Sequence, residues 1–108
     1  MKKFTDKEIR EKVAYWQKRL SLKDWRVDLH IVDELPGWHD GQTRWNADER
    51  ISHVWISRKG EDTEFTIVHE LIHSLLWYAD HTGLNEPLIE QTVNAMTEAL
   101  LERKSVMK

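Results

Sequence analysis

Apolar positions recur along this chain in two rhythms, one helical and one alternating. Ile9, Val13, Trp16 and Leu20 fall three and four residues apart, while Lys7, Arg10, Glu11, Lys18 and Arg19 occupy the other face. That is one apolar stripe, and it predicts an amphipathic helix over residues 5–20, packed on a sheet as scaffold. Thr5 and Glu8 have the spacing of a capping box at its start. From 25 to 32 the rhythm changes to two: Trp25, Val27, Leu29 and Ile31 against Arg26, Asp28 and His30. This predicts a half-buried strand. Pro36-Gly37 and Asp40-Gly41 mark 33–41 as loop or turn. A short second strand is expected over 42–47, a turn over 47–50, and a third strand over 51–57, where the alternation is less clean.

The helical rhythm returns at about 62. Val68, Leu71, Ile72, Leu75 and Leu76 leave little polar surface, so a largely buried helix is expected from 62 or 63 to about 80. Asp62 or Thr63 suits its N-cap, and Glu64 its first turn. Gly83 suits a helix stop and Asn85 the next cap; Pro87 then falls early in a last helix over 86–103. Leu88 or Ile89, Val93, Met96 and Leu100 form its expected inner stripe. The order α-β-β-β-α-α, with no repeat or linker, predicts an α+β fold: an N-terminal helix, a small three-stranded sheet and a C-terminal helix pair, in a single domain over 1–108.

Composition narrows the function. A net charge of -3 leaves no basic footprint for nucleic acid, which argues against a nucleic-acid-binding role. The chain has no cysteine, so any bound metal must be held by histidine and carboxylate. No run approaches the roughly 18 apolar residues of a membrane span. The first residues carry charges rather than an apolar signal segment, so a cytoplasmic protein is expected. Six tryptophans are many for 108 residues. Core or sheet-face packing accounts for them at least as well as a groove lined by Trp38 and Trp45.

The buried helix carries His69-Glu70-Leu71-Ile72-His73, a His-Glu-x-x-His pattern. Residues four apart on a helix share a face, which sets both imidazoles where one zinc ion (Zn2+) could take them. Glu70 is offset around the helix. It can reach a metal-bound water without ligating the metal, as a general base must. Ionisable residues in an apolar helix need partners, and a metal supplies one.

A catalytic zinc site usually has three protein ligands and an open position. The extension that adds Gly three and His six residues after the second His fails, because Leu76 and Ala79 stand there. The third ligand is then sought on the last helix, which an antiparallel hairpin brings back past His73. His73 lies about seven residues before the turn, roughly 10 Å along the helix, and Glu90 about five residues after it. Glu90 therefore ranks first, Glu86, nearly in the turn, second, and Glu98 third. Asn94 shares a helix face with Glu90 and could hydrogen-bond a ligating imidazole.

These segments resemble the minigluzincins, very small zinc peptidases of the thermolysin-like gluzincin clan, and short metallopeptidase-like proteins of phage and prophage genomes. The likeness spans the opening helix, Leu22 to Val27, the Thr66 to His73 helix, and Glu90-Gln91-x-Val93 leading into Asn94-Ala95-Met96. Only the middle motif is specific. The resemblance implies a zincin-like fold, His69, His73 and Glu90 as zinc ligands, and Glu70 as general base. It also implies an edge strand that lines the cleft and holds peptide in extended form. The departure is Asn94, where larger gluzincins have an acidic residue.

The expectation is thus a zinc-dependent peptidase acting on peptide or protein, a monomer or weak dimer, in a bacterial or phage-infected cell. The oxyanion donor is sought among Tyr78, His81, His39 and His53. His30, on a polar strand face, is expected to be merely solvated. The competing expectation is a catalytically silent zinc-bound module that binds a partner protein. Retention of Glu70 favours the enzyme, since a structural site has no use for a base.

Overall fold

A computed structural model describes residues 3–22, 25–46, 48–76 and 86–102, without the side chains of Trp38 and Glu86. The fold is α+β: helix α1 (Asp6–Arg19), strand β1 (Arg26–Val32), a 3-10 turn at Pro36–Trp38, strands β2 (Gly41–Asn46) and β3 (Ile51–Ser57), then helices α2 (Thr63–Leu75) and α3 (Glu86–Leu100). Among the described residues no helix is long and apolar enough to cross a membrane.

The starts of α1 and α2 are fixed locally. Thr5 Oγ1 accepts from the Glu8 N–H at 3.1 Å, and the Glu8 carboxylate accepts from the Thr5 N–H at 2.9 Å, the reciprocal capping box its spacing suggested. Asp62 caps α2 by accepting from the Phe65 N–H at 3.2 Å. α2 ends sooner than its apolar run implied, at Leu75 rather than near Asp80, with the turn made at Leu76. The run mixes two environments: Leu71 and Ile72 are fully buried, whereas Leu75 is exposed. Hydrophobicity alone did not mark the end.

β3 is the central strand. It pairs with β1 in parallel (Leu29 beside Val54) and with β2 antiparallel (Thr43 beside Val54), giving the order β1-β3-β2. Alternation sends Val27, Leu29, Ile31, Val54 and Ile56 to one face. There they join Ile9, Val13 and Trp16 of α1, Ile67, Val68, Leu71 and Ile72 of α2, and Val93 of α3 in a single core. On α3 the inner stripe uses Ile89, not the exposed Leu88, and takes in Thr97, while Leu100 lies exposed. Thr97 tolerates full burial because its hydroxyl donates to the Val93 carbonyl at 2.7 Å.

α2 is the hinge of the architecture, packing on α1, α3, β2 and β3. Polar ties accompany the apolar ones: Trp16 Nε1–H donates to Glu64 at 3.0 Å, and the fully buried Ser52 and Ser74 hydroxyls bond at 2.6 Å between β3 and α2.

Candidate metal centre

The placement of α2 decides the site. With Val68, Leu71 and Ile72 in the core, His69 and His73 fall on its flank and Glu70 turns under β2. The imidazoles stack edge to face, and their Nε2 atoms lie 3.3 Å apart. α3 packs on α2 through Ile89 and Val93 and brings in Glu90. His73 Nε2–H donates to Glu90 Oε1 at 2.7 Å, and Glu90 Oε2 lies 3.4 Å from His69 Nε2.

Among the described residues, His69, His73 and Glu90 are the one group of three or more ligating side chains whose atoms converge within 4.8 Å. Ligands about 2.0–2.1 Å from one tetrahedral zinc stand roughly 3.3 Å from each other. The nitrogen pair and the His69–Glu90 pair match that edge. The shorter His73–Glu90 contact is a hydrogen bond that holds the carboxylate in the same place. Two imidazoles with one carboxylate is also the donor set of hydrolytic zinc sites, so the residues fit the ion. Glu90 is 52% exposed, which leaves the cluster open on one side.

Glu70 is 7% exposed and sits against β2. Thr43 of β2 donates its hydroxyl to Glu70 Oε1 at 2.6 Å, with the Glu70 carbonyl 3.2 Å from the same hydroxyl. Oε2 takes no part in that bond. Burial pushes the Glu70 carboxyl above the ordinary carboxylate range; the Thr43 hydrogen bond and the two imidazoles pull it partly back. Such an approach of strand to helix requires Gly41. A Cβ there would meet Thr66 Cγ2 at 2.7 Å and Glu70 Cγ at 2.8 Å.

A cleft of about 670 Å³ opens in front of the cluster. Its floor is His69, Glu70, His73 and Glu90, and its wall is Pro36, Gly37 and His39 of the loop with Gly41, Gln42 and Arg44 of β2. A smaller hollow of about 200 Å³ shares His39, Gly41, His69 and Glu70 and reaches Phe65 and Thr66. Gly37, at φ 72°, turns the loop so that the His39 ring lies over it.

The other sequence candidates separate clearly. His39 lines the cleft; His53 lies on the opposite face of the sheet from Val54 and Ile56 and does not. Tyr78 and His81, and the Glu86 side chain, lie outside the described residues. Glu98 is not in the convergent group. Asn94 is exposed, and His69 Nδ1 is buried without a partner among the described residues, so Asn94 does not support that imidazole. Trp45 packs half-buried on the inner face of β2 and is absent from the cleft wall. His30 is not simply solvated: it is half-buried and stacks on Trp55. Thr43 and Gly41 were not singled out from sequence. Asp40-Gly41 signalled a turn, and a threonine in a strand is too common to signal a contact.

Comparison with protein-family models, with curated proteins and with solved structures returned no match.

Proposed function

We propose that this chain is a zinc-dependent peptidase with His69, His73 and Glu90 as ligands and Glu70 as general base. The observation that carries the reading is the pairing of two unlike environments. An open His-His-Glu cluster faces a cleft, and directly beside it stands a buried carboxylate that makes no ion pair among the described residues. The resemblance of the α2 and α3 motifs to minigluzincins points the same way.

Zinc held there would polarise a peptide carbonyl and make a water acidic enough to act as nucleophile near neutral pH. Glu70 accepts that water's proton on Oε2, while Thr43 keeps Oε1 and fixes the carboxylate's orientation. Its raised pKa suits a base that must later give the proton to the leaving amine. β2 is one of the two edge strands of the sheet among the described residues. Ser57 N–H donates to the Asp40 carbonyl, so the backbone groups of residues 42, 44 and 46 face β3 and those of 41, 43 and 45 face outward. An extended peptide added along that edge brings its backbone past Glu70. His39, in the cleft wall, is the oxyanion donor this reading selects among the described candidates. A bacterial or phage-infected cytoplasm as the setting rests on the resemblance alone.

The test is cleavage of a quenched fluorescent peptide library by zinc-loaded protein and by Glu70→Gln. The reading expects cleavage that falls by at least about 100-fold in Glu70→Gln while zinc is retained. A zinc-loaded wild type that cleaves nothing, or no faster than Glu70→Gln, favours the silent binding module instead.

A further inference from the structure

The outer face of the sheet gathers a second set of ligating side chains, away from Glu70. β1 and β3 are in register with Asp28 beside His53 and His30 beside Trp55. Alternation puts all four opposite the core face that carries Leu29 and Val54. His30 Nε2 and His53 Nδ1 lie 3.3 Å apart, with their rings stacked at 27°. Trp55 stacks on His30 at 4.8 Å between centroids. Asp28 Oδ2 lies 3.9 Å from His53 Nδ1, and Arg26 fixes the Asp28 carboxylate with two hydrogen bonds of 3.0 Å.

We propose that His30 Nε2 and His53 Nδ1 bind a second divalent transition-metal ion on this face. Their separation is again the roughly 3.3 Å edge expected of two nitrogen ligands on one tetrahedral ion. Without an ion, a single N–H must serve both nitrogens. With one, both lone pairs are used, and the protons sit on His30 Nδ1 and His53 Nε2. The spacing is set by two hydrogen-bonded strands and by the Trp55 stack, so little ordering is left for the ion to impose. Asp28 adds negative charge beside the pair. His53 and Asp28 are each about a third exposed, which leaves room for waters at the remaining positions. Imidazole donors select zinc, nickel or copper(II) over magnesium and calcium.

The 108-residue chain is loaded with zinc and dialysed, so that any tightly held ion stays. It is then titrated with zinc chloride by calorimetry and by ¹⁵N NMR of the histidine rings. The expected result is one further zinc per chain, with the His30 Nε2 and His53 Nδ1 resonances shifting as it binds. His30→Ala and His53→Ala each weaken that event by more than about tenfold. Asp28→Asn weakens it by at least about fivefold, the effect in water of one unit charge on another about 4 Å away, since the ion carries two. His30→Gln and His53→Gln, which keep a polar side chain on the sheet, give the same loss. His73→Ala leaves the event intact, whether or not it removes an ion elsewhere. The proposal is overturned if no zinc binds beyond that removed by His73→Ala, or if the event survives in both His30 and His53 variants.

Discussion

Glu70 is the residue whose environment and chemistry most nearly oppose each other. A carboxylate buried under a strand costs stability whenever it is charged, and Thr43 and the neighbouring imidazoles offset part of that cost. Its folded-state pKa lies above the ordinary value, so the metal-free protein binds a proton there more readily than the unfolded chain does. That stability is fully present below the unfolded pKa and is lost as pH rises through the raised, folded one. Glu70→Gln has no such loss. Its Tm in metal-free buffer is expected to match the wild type at acid pH, to exceed it progressively as pH rises, and to level off. A constant difference across pH would mean that Glu70 is not buried as a charge. Thr43→Val removes the one hydroxyl donor to this carboxylate and is expected to cost about 1–3 kcal/mol by urea denaturation at neutral pH, with Thr43→Ser close to wild type. The sequence suggests a base at Glu70 by position alone, next to His69. It does not disclose Thr43, because the contact depends on which strand crosses the helix.

At the scale of elements, local signals are read well and relations between strands poorly. The capping box at Thr5 and Glu8, the stripe of Ile9, Val13 and Trp16, and the alternation through Val27, Leu29 and Ile31 are written in neighbouring residues, and the structure has all three. The meeting of Glu90 with His73 was legible too, since a helix pair has a fixed rise and therefore a predictable level. The order β1-β3-β2 was not, because nothing in an alternating strand states its partner. That order makes β2 an edge and lays it over α2, and Gly41 is what permits it. Gly41→Ala is expected to push β2 from Thr66 and Glu70 and to cost about 1–3 kcal/mol, with faster backbone amide exchange along β2. Unchanged stability and exchange would show that the strand does not pack this closely.

At the scale of the whole molecule, the candidate site lies where α2, α3 and β2 meet. Each contributes something the others cannot: two imidazoles, a carboxylate at the mouth, and a strand edge with a hydroxyl for the base. Binding of an ion at His69, His73 and Glu90 would tie α3 to the rest of the fold, so metal affinity and folding stability would be linked. The most direct measurement is the zinc retained per chain after the purified, untagged protein is dialysed against metal-free buffer, with His73→Ala and Glu90→Gln beside it. The account predicts one retained zinc in the wild type, none in His73→Ala, and affinity reduced at least about tenfold in Glu90→Gln. A wild type that retains no zinc after loading, or a Glu90→Gln that holds it as tightly as the wild type, would contradict it.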